Sequence, residues 1–169
     1  MTTTPFWMAD LTDITIREAV DGDAQGLIAL IGEIFSDYDN CVLDLERLDR
    51  ELLAIDTCIK GLGGKFWVAE YQGEIVASIG YAPKGGGVVE LKRLYVARAW
   101  RRRGLADRLT GLIYQAAKDL RATAIELWSD TRFVEAHAFY LKHGFEELPE
   151  TRDLNDPSNS TEYHFIKKL

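Results

Sequence analysis

The segment 88–106, VVELKRLYVARAWRRRGLA, constrains the fold more than any other part of the sequence. Its first half is rich in β-branched, aromatic and aliphatic residues, which is typical of a buried strand. A basic turn that contains Gly104 follows, and apolar residues then repeat at helical spacing over positions 105–116. The segment therefore predicts a strand, a glycine-containing turn and a helix in direct succession.

The start of that helix is suited to binding an anion, because the first N–H groups of a helix have no intrahelical acceptor and carry the positive end of its dipole. Gly104 and Ala106 are small, so phosphate oxygens can approach the backbone closely. The same turn carries three cations: Arg101, Arg102 and Arg103. The junction predicts a pyrophosphate site. The alternatives are a basic helix start that is merely solvated, or a nucleic-acid patch that includes Arg98.

The spacing Arg101-x-x-Gly104-x-Ala106 after a strand resembles the acyl-coenzyme A (acyl-CoA) signature, Arg/Gln-x-x-Gly-x-Gly/Ala, of the GNAT superfamily of N-acetyltransferases. The resemblance implies an α/β fold, with a mixed β-sheet flanked by helices. It also implies acetyl-CoA as the acyl donor and direct transfer of the acetyl group to a primary amine. A non-catalytic acyl-CoA-binding sensor or interaction module is the alternative from a different functional class.

A second segment, 133–145 (FVEAHAFYLKHGF), resembles the GNAT segment Ala-x-x-Phe-Tyr-x-x-x-Gly-Phe. Its apolar residues recur at helical spacing, and Gly144 is placed to end the helix in a left-handed conformation. In the family the tyrosine lies beside the CoA sulfur and is thought to protonate the departing thiolate, and the matching residue is Tyr140. The alternative for Tyr140 is a core aromatic whose hydroxyl bonds the backbone.

The resemblance implies a set of cofactor-binding residues: Leu94, Tyr95, Val96, Arg101, Arg102, Arg103, Gly104, Leu105, Ala106, Thr131 and Phe133. Seven residues before the tyrosine, many family members carry an asparagine that bonds the pantetheine arm, and this chain has Phe133 there. The arm is therefore expected to be held by backbone alone, or by Thr131 or Arg132. A backbone N–H near Val96 would polarise the thioester carbonyl.

An amine acceptor also needs a base, because an alkylammonium with a pKa of about 10.4 is almost fully protonated at pH 7. Glu90 stands eleven residues before Arg101, where some family members place a catalytic glutamate. A water could take this role, and an ordinary strand charge paired with Lys92 or Arg93 is the other interpretation of Glu90.

Family members wall the acceptor site with the first two helices and the loop before the last strand. In this chain the first region contributes Phe35, Asp37 and Tyr38. The carboxylate of Asp37 would attract an amine, and the rings of Phe35 and Tyr38 would shape its pocket. Helix-end solvation is the alternative for these residues.

Composition limits the other functional classes. The formal net charge of −7 argues against general affinity for nucleic acid, and the two cysteines and three histidines lack the spacing of a disulfide framework or metal site. The N-terminal stretch lacks the features of a signal peptide or membrane span, which predicts a cytoplasmic protein without membrane partners. We expect one domain over residues 1–169, and family members are commonly dimers, so a homodimer is compatible with the resemblance.

Periodicity and turn residues predict the order β-α-α-β-β-β-α-β-α-β-β. Asp21 and Asp44 are the expected N-caps of the first two helices, and Gln72-Gly73 is expected to close a hairpin. The strands assigned from the pattern are 14–17, 65–71, 74–81, 88–96, 122–128 and 163–168, with a turn at 83–87.

Overall fold

A computed structural model describes residues 5–169; residues 1–4, part of the stretch assessed for a signal peptide, lie outside the described residues. The strands are β1 (Thr15–Glu18), β2 (Lys65–Tyr71), β3 (Glu74–Gly85), β4 (Val88–Val96), β5 (Ala124–Asp130), β6 (Glu146–Asp153) and β7 (Thr161–Lys168). The α-helices are α1 (Ala24–Phe35), α2 (Ile55–Gly61), α3 (Leu105–Asp119) and α4 (Val134–Lys142). The order of helices and strands agrees with the order predicted from sequence.

All seven strands form one mixed sheet in the order β1-β2-β3-β4-β5-β7-β6. Neighbouring strands run antiparallel except β4 and β5, which are parallel. A parallel pair needs a crossover connection, and α3 provides it. The parallel pair thus lies in the middle of the sheet, with a helix beginning directly after its first strand.

Apolar side chains fill both faces of the sheet. One cluster joins α3 and α4 to β4 and β5, with Leu109, Ile113 and Ile125 fully buried. A second cluster packs α1 and α2 onto β2, with Ile31 and Val68 fully buried. Burial of these side chains is the main stabilising contribution to the sandwich of helices and sheet. Within residues 5–169, none of the helices is long and apolar enough to span a membrane.

The structure differs from the sequence prediction at the N-caps of the first two helices. Asp21 does not cap α1; its carboxylate accepts a hydrogen bond from the Thr57 N–H at 2.9 Å, next to α2. The carboxylate of Asp23, the residue directly before α1, accepts a hydrogen bond from the Val20 N–H at 2.9 Å. The second helix begins later than predicted. Asp44 caps a turn, and a 3-10 helix, Arg50–Ala54, then precedes α2.

Four strands have boundaries that differ from the prediction. β1 is Thr15–Glu18 instead of 14–17, and β7 begins at Thr161 instead of 163. The differences at β3 and β5 are larger. β3 continues through Pro83 to Gly85, so the turn before β4 consists of Gly86 and Gly87 alone. Pro83 is accommodated beside an irregularity in the β3–β4 pairing. β5 begins two residues later than the predicted strand 122–128 and ends at Asp130. The hairpin turn at Gln72-Gly73 is confirmed, with both residues at positive φ.

Candidate functional site

The sheet opens between β4 and β5. The two strands pair only from Val88 with Ala124 to Glu90 with Glu126, so the remainder of β4 has no β5 partner. A β-bulge explains the change of direction: Ile79 of β3 faces both Arg93 and Leu94 of β4. The unpaired backbone of β4 therefore lines an opening that leads through the middle of the sheet.

Arg93 fixes this bulge. It adopts a left-handed backbone conformation, with φ +55°, which costs a non-glycine residue free energy. The Ser78 hydroxyl donates a hydrogen bond to the Arg93 carbonyl at 2.8 Å. The guanidinium donates to Asp49 Oδ1 at 2.7 Å and to Glu51 Oε1 at 2.8 Å. A third bond runs to the Leu48 carbonyl at 3.1 Å.

The charge of Arg93 is retained in spite of burial. Burial acts to lower the pKa of the Arg93 guanidinium, whereas Tyr95, Glu51 and Asp49 act to raise it, and the net shift is upward. The bulge is thus tied, through an ion-pair network, to the segment that joins α1 to α2.

A cavity of about 530 Å³ extends from the start of α3 to the opening between β4 and β5. Its volume is in the range of ligand-binding pockets, and it is partly open to solvent. Most of the predicted cofactor-binding residues line it: Leu94, Tyr95, Val96, Arg101, Arg102, Gly104, Leu105, Ala106 and Phe133.

The start of α3 has the geometry of an anion site. Gly104 precedes the helix with φ +83°, a conformation that L-residues rarely adopt. The first helical hydrogen bond runs from the Arg108 N–H to the Gly104 carbonyl at 3.1 Å, so the preceding amides have no intrahelical acceptor. Arg101 Nε donates to the Val96 carbonyl at 3.0 Å, which places its charge beside the end of β4.

Tyr140 also lines this cavity, and it is only 5% exposed. Its ring packs near Phe145 and Phe165, with centroid separations of 5.8 and 5.7 Å. Burial raises the pKa of the Tyr140 phenol above its usual value of 10.0. The hydroxyl therefore stays protonated at neutral pH, and it is a weaker acid than a free phenol.

A second, more polar cavity of about 240 Å³ adjoins the first. It contains the side chain of Glu90 and is bordered by carboxylates from the α1–α2 connection and from the loop between β6 and β7. Seven residues line both cavities: Leu91, Arg93, Tyr95, Trp128, Asp130, Phe133 and Glu162. The two cavities therefore meet at the bulge, and ligands in each could approach one another there.

The sequence over residues 63–147 matches the family model described as acetyltransferase (GNAT) domain. The chain belongs to the GNAT acetyltransferase family. The matched part contains both β4 and α3, the elements that form the opening and the helix start, and the whole of α4.

Curated relatives include proteins that are named N-acetyltransferase. The chain is 34% identical over 89 residues to an uncharacterized N-acetyltransferase, YjgM, of Escherichia coli K12, covering 51% of this chain and 53% of that protein. It is 28% identical over 126 residues to N-acetylaspartate synthetase of Danio rerio, covering 74% of this chain and 43% of that protein. The matched part spans about half the length of these curated relatives.

Solved structures support the GNAT fold over nearly the whole chain. An acetyltransferase of the GNAT family from Staphylococcus aureus Mu50 superposes with a TM-score of 0.79 at 24% identity, covering 92% of this chain and 99% of that one. PaiA N-acetyltransferase from Thermoplasma acidophilum, solved in complex with coenzyme A, has a TM-score of 0.70 at 17% identity, covering 92% and 99%.

Three predicted site residues lie outside both cavities of this GNAT fold. Arg103 donates to the Ala9 carbonyl at 2.9 Å, and its guanidinium carbon lies 5.0 Å from the ring centroid of Trp100, so it holds the N-terminal segment. The Thr131 N–H donates to the Thr161 carbonyl, away from the cavities. Asp37 forms an ion pair with Arg98.

The other predicted residues divide between the cavities. Tyr38 lines the larger cavity and Phe35 the smaller one, and both rings lie near Phe133. Glu90 reaches only the smaller cavity, where Lys84 Nζ lies 3.1 Å and Lys92 Nζ 3.7 Å from its carboxylate. Its partners are thus two lysines, of which the sequence interpretation had named one.

Sequence reasoning missed the role of Arg93, although a signal was present. Apolar residues of β4 fall at Leu91 and then at Leu94 and Val96, so the alternation expected of a strand shifts by one residue at Arg93. Trp128 and Asp130 were also missed, because nothing in the sequence of β5 shows that it diverges from β4. Among residues 5–169, no group of three or more histidine, cysteine or acidic side chains is placed to bind a metal.

Proposed function

We propose that this GNAT protein is an acetyl-CoA-dependent N-acetyltransferase that transfers an acetyl group directly to a primary amine. The observation that carries the proposal is the bulge of β4, beyond the point where its pairing with β5 ends, because a cavity at the start of α3 and a smaller polar cavity share lining residues there. Relatives named N-acetyltransferase, and a structural neighbour solved in complex with acetyl-CoA, support the assignment.

The larger cavity is the proposed site for acetyl-CoA. The pyrophosphate would bind the free amides at Gly104, Leu105 and Ala106, because these lie at the positive end of α3. Arg101 and Arg102 line the same end and supply positive charge. The pantetheine arm would lie along the unpaired edge of β4, whose N–H and C=O groups need partners.

The amine would enter through the smaller cavity and meet the thioester at the bulge. Holding both reactants there converts a bimolecular reaction into one between oriented groups. The amine nitrogen forms the new bond to the acetyl carbon, and the carbon–sulfur bond breaks. Glu90, or a water beside it, takes the proton from nitrogen, and Tyr140 returns a proton to sulfur.

The test is release of free thiol from acetyl-CoA in the presence of a panel of amines that includes amino acids, polyamines, aminoglycosides and peptides. Thiol release above the rate without amine supports the enzyme. Calorimetric binding of CoA without thiol release for any amine would favour the sensor instead. Binding to nucleic acid that falls steeply with salt would favour the interpretation of the basic turn as a nucleic-acid patch.

A cytoplasmic location and a homodimer stay predictions. Cell fractionation tests the location, and light scattering of the purified protein tests the dimer.

A further inference from the structure

Four aromatic rings stand where the two cavities meet, and we call them the aromatic wall: Phe35, Tyr38, Tyr95 and Phe133. Phe133 is central, with ring centroids 5.0 Å from Tyr38, 5.8 Å from Phe35 and 6.4 Å from Tyr95. Phe35 and Tyr95 lie 5.9 Å apart in an edge-to-face arrangement. At these separations aromatic rings are in contact, so the four side chains form one packed group.

The aromatic wall is connected to the bulge through Tyr95, which follows Arg93 by two residues on β4. After Arg93 the β4 side chains alternate, so that Leu94 and Val96 join the core cluster that contains Tyr140. Tyr95 points to the other face of the sheet and joins the cluster beneath α1. Tyr95 and Phe133 are the two members of the wall that line both cavities, so they border the place where the two cavities meet.

Phe133 places a phenyl ring at the junction of the two cavities. Its neighbours restrict its movement, because it touches the other three members of the wall. A longer acyl chain would have to displace a ring from a packed group, and overpacking of this kind is unfavourable.

We propose that the aromatic wall limits the transferred acyl group to acetyl, with Phe133 as the residue that determines this specificity. The inference rests on the proposed function, since it concerns the donor of that reaction. A pocket that excludes a methylene group by shape discriminates by about 10- to 200-fold. Discrimination against butyryl-CoA is therefore expected to be at least about tenfold.

The experiment measures the dissociation constants of CoA, acetyl-CoA and butyryl-CoA by calorimetry, and kcat/KM for the two acyl donors. We expect the wild-type protein to favour acetyl-CoA over butyryl-CoA by about tenfold or more. Phe133→Ala should reduce this ratio by about tenfold, and Phe133→Leu, which retains more packing, should give an intermediate ratio. Thermal unfolding of each variant verifies that it is folded.

Phe139→Ala is the matched control. Phe139 is also half-buried, lies on α4 and lines the larger cavity, but its ring neighbours are Tyr140 and His143, at centroid separations of 5.8 and 4.2 Å. Its loss should change the affinity for all three ligands alike and leave the acetyl-to-butyryl ratio unchanged.

Two results would overturn the inference: equal affinity and kcat/KM of the wild-type protein for acetyl-CoA and butyryl-CoA, or equal shifts of the ratio in Phe133→Ala and Phe139→Ala. Absence of any binding of CoA and acetyl-CoA to the wild-type protein would instead refute the proposed function. The two failures are therefore distinguishable.

Discussion

The substitution Arg93→Met removes the charge that holds the bulge of β4 while keeping a long, flexible side chain. Arg93 is only 15% exposed, and its partners Asp49 and Glu51 are 10% and 19% exposed. Loss of the guanidinium leaves two largely buried carboxylates without their cation. Breaking a buried ion pair in this way costs about 3–5 kcal/mol, which is a large part of the roughly 5–15 kcal/mol that stabilises a typical protein.

The assay is urea unfolding followed by circular dichroism, with the free energy of unfolding extrapolated to water. We expect Arg93→Met to lower this free energy by about 3–5 kcal/mol and to weaken CoA binding, because the unpaired edge of β4 would lose its fixed position. Adding Asp49→Asn and Glu51→Gln to the variant removes the stranded charges and should restore part of the lost stability.

Arg152→Met is the control for an ion pair near solvent. Arg152 Nε lies 2.7 Å from Glu162 Oε1, but the arginine side chain is 45% exposed, and it also stacks on Trp128. Its loss should cost less than about 2 kcal/mol. A cost below about 1 kcal/mol for Arg93→Met, or one no larger than that of Arg152→Met, would refute the argument that the network fixes the bulge.

Three further predictions concern the site and the core. Tyr140→Phe should lower kcat by about 10²- to 10⁴-fold with little change in CoA affinity, measured by thiol release and calorimetry; an unchanged kcat would contradict its role as the acid. Glu90→Gln should reduce turnover more than CoA binding. Turnover of this variant equal to that of the wild-type protein at each pH from 6 to 9 would remove Glu90 from the mechanism. Burial raises the pKa of the Cys41 thiol to about 11, so above pH 9 the unfolded thiol loses its proton first and stability falls as pH rises. Urea unfolding at pH 8 and 10.5 should show this loss, about 2 kcal/mol, reduced in Cys41→Ala but not in Cys58→Ala, whose thiol is exposed.

The order of elements could be predicted because most of them carry a strong local signal; β6, which is almost entirely exposed, received no range from the pattern. The strand Val88–Val96 and the helix Leu105–Asp119 have clear periodicity, and Gly104 and Gly144 punctuate the chain where left-handed conformations are needed. The start of the second helix could not be placed, because Asp44 caps a turn that the chain leaves before the helix begins. Helix propensity over this stretch is overridden by the tertiary contacts of Asp49 with Arg93.

Within the site, backbone positions were predicted better than side-chain partners. Gly104 and Ala106 line the cavity as expected, because their contribution depends only on local spacing. Arg103 does not line either cavity, since a cation has several acceptors within reach and the N-terminal segment supplies one of them. The pairing of Arg93 with Asp49 spans 44 positions, so no local pattern could reveal it.

The crystal structure of the protein grown with acetyl-CoA tests the central claim most directly. The account predicts the pyrophosphate on the amides of residues 104–106, the pantetheine arm beside the unpaired edge of β4, and the acetyl group at the bulge, between Tyr140 and Phe133. Acetyl-CoA bound elsewhere, or an opening between β4 and β5 that stays empty at saturating ligand, would contradict it.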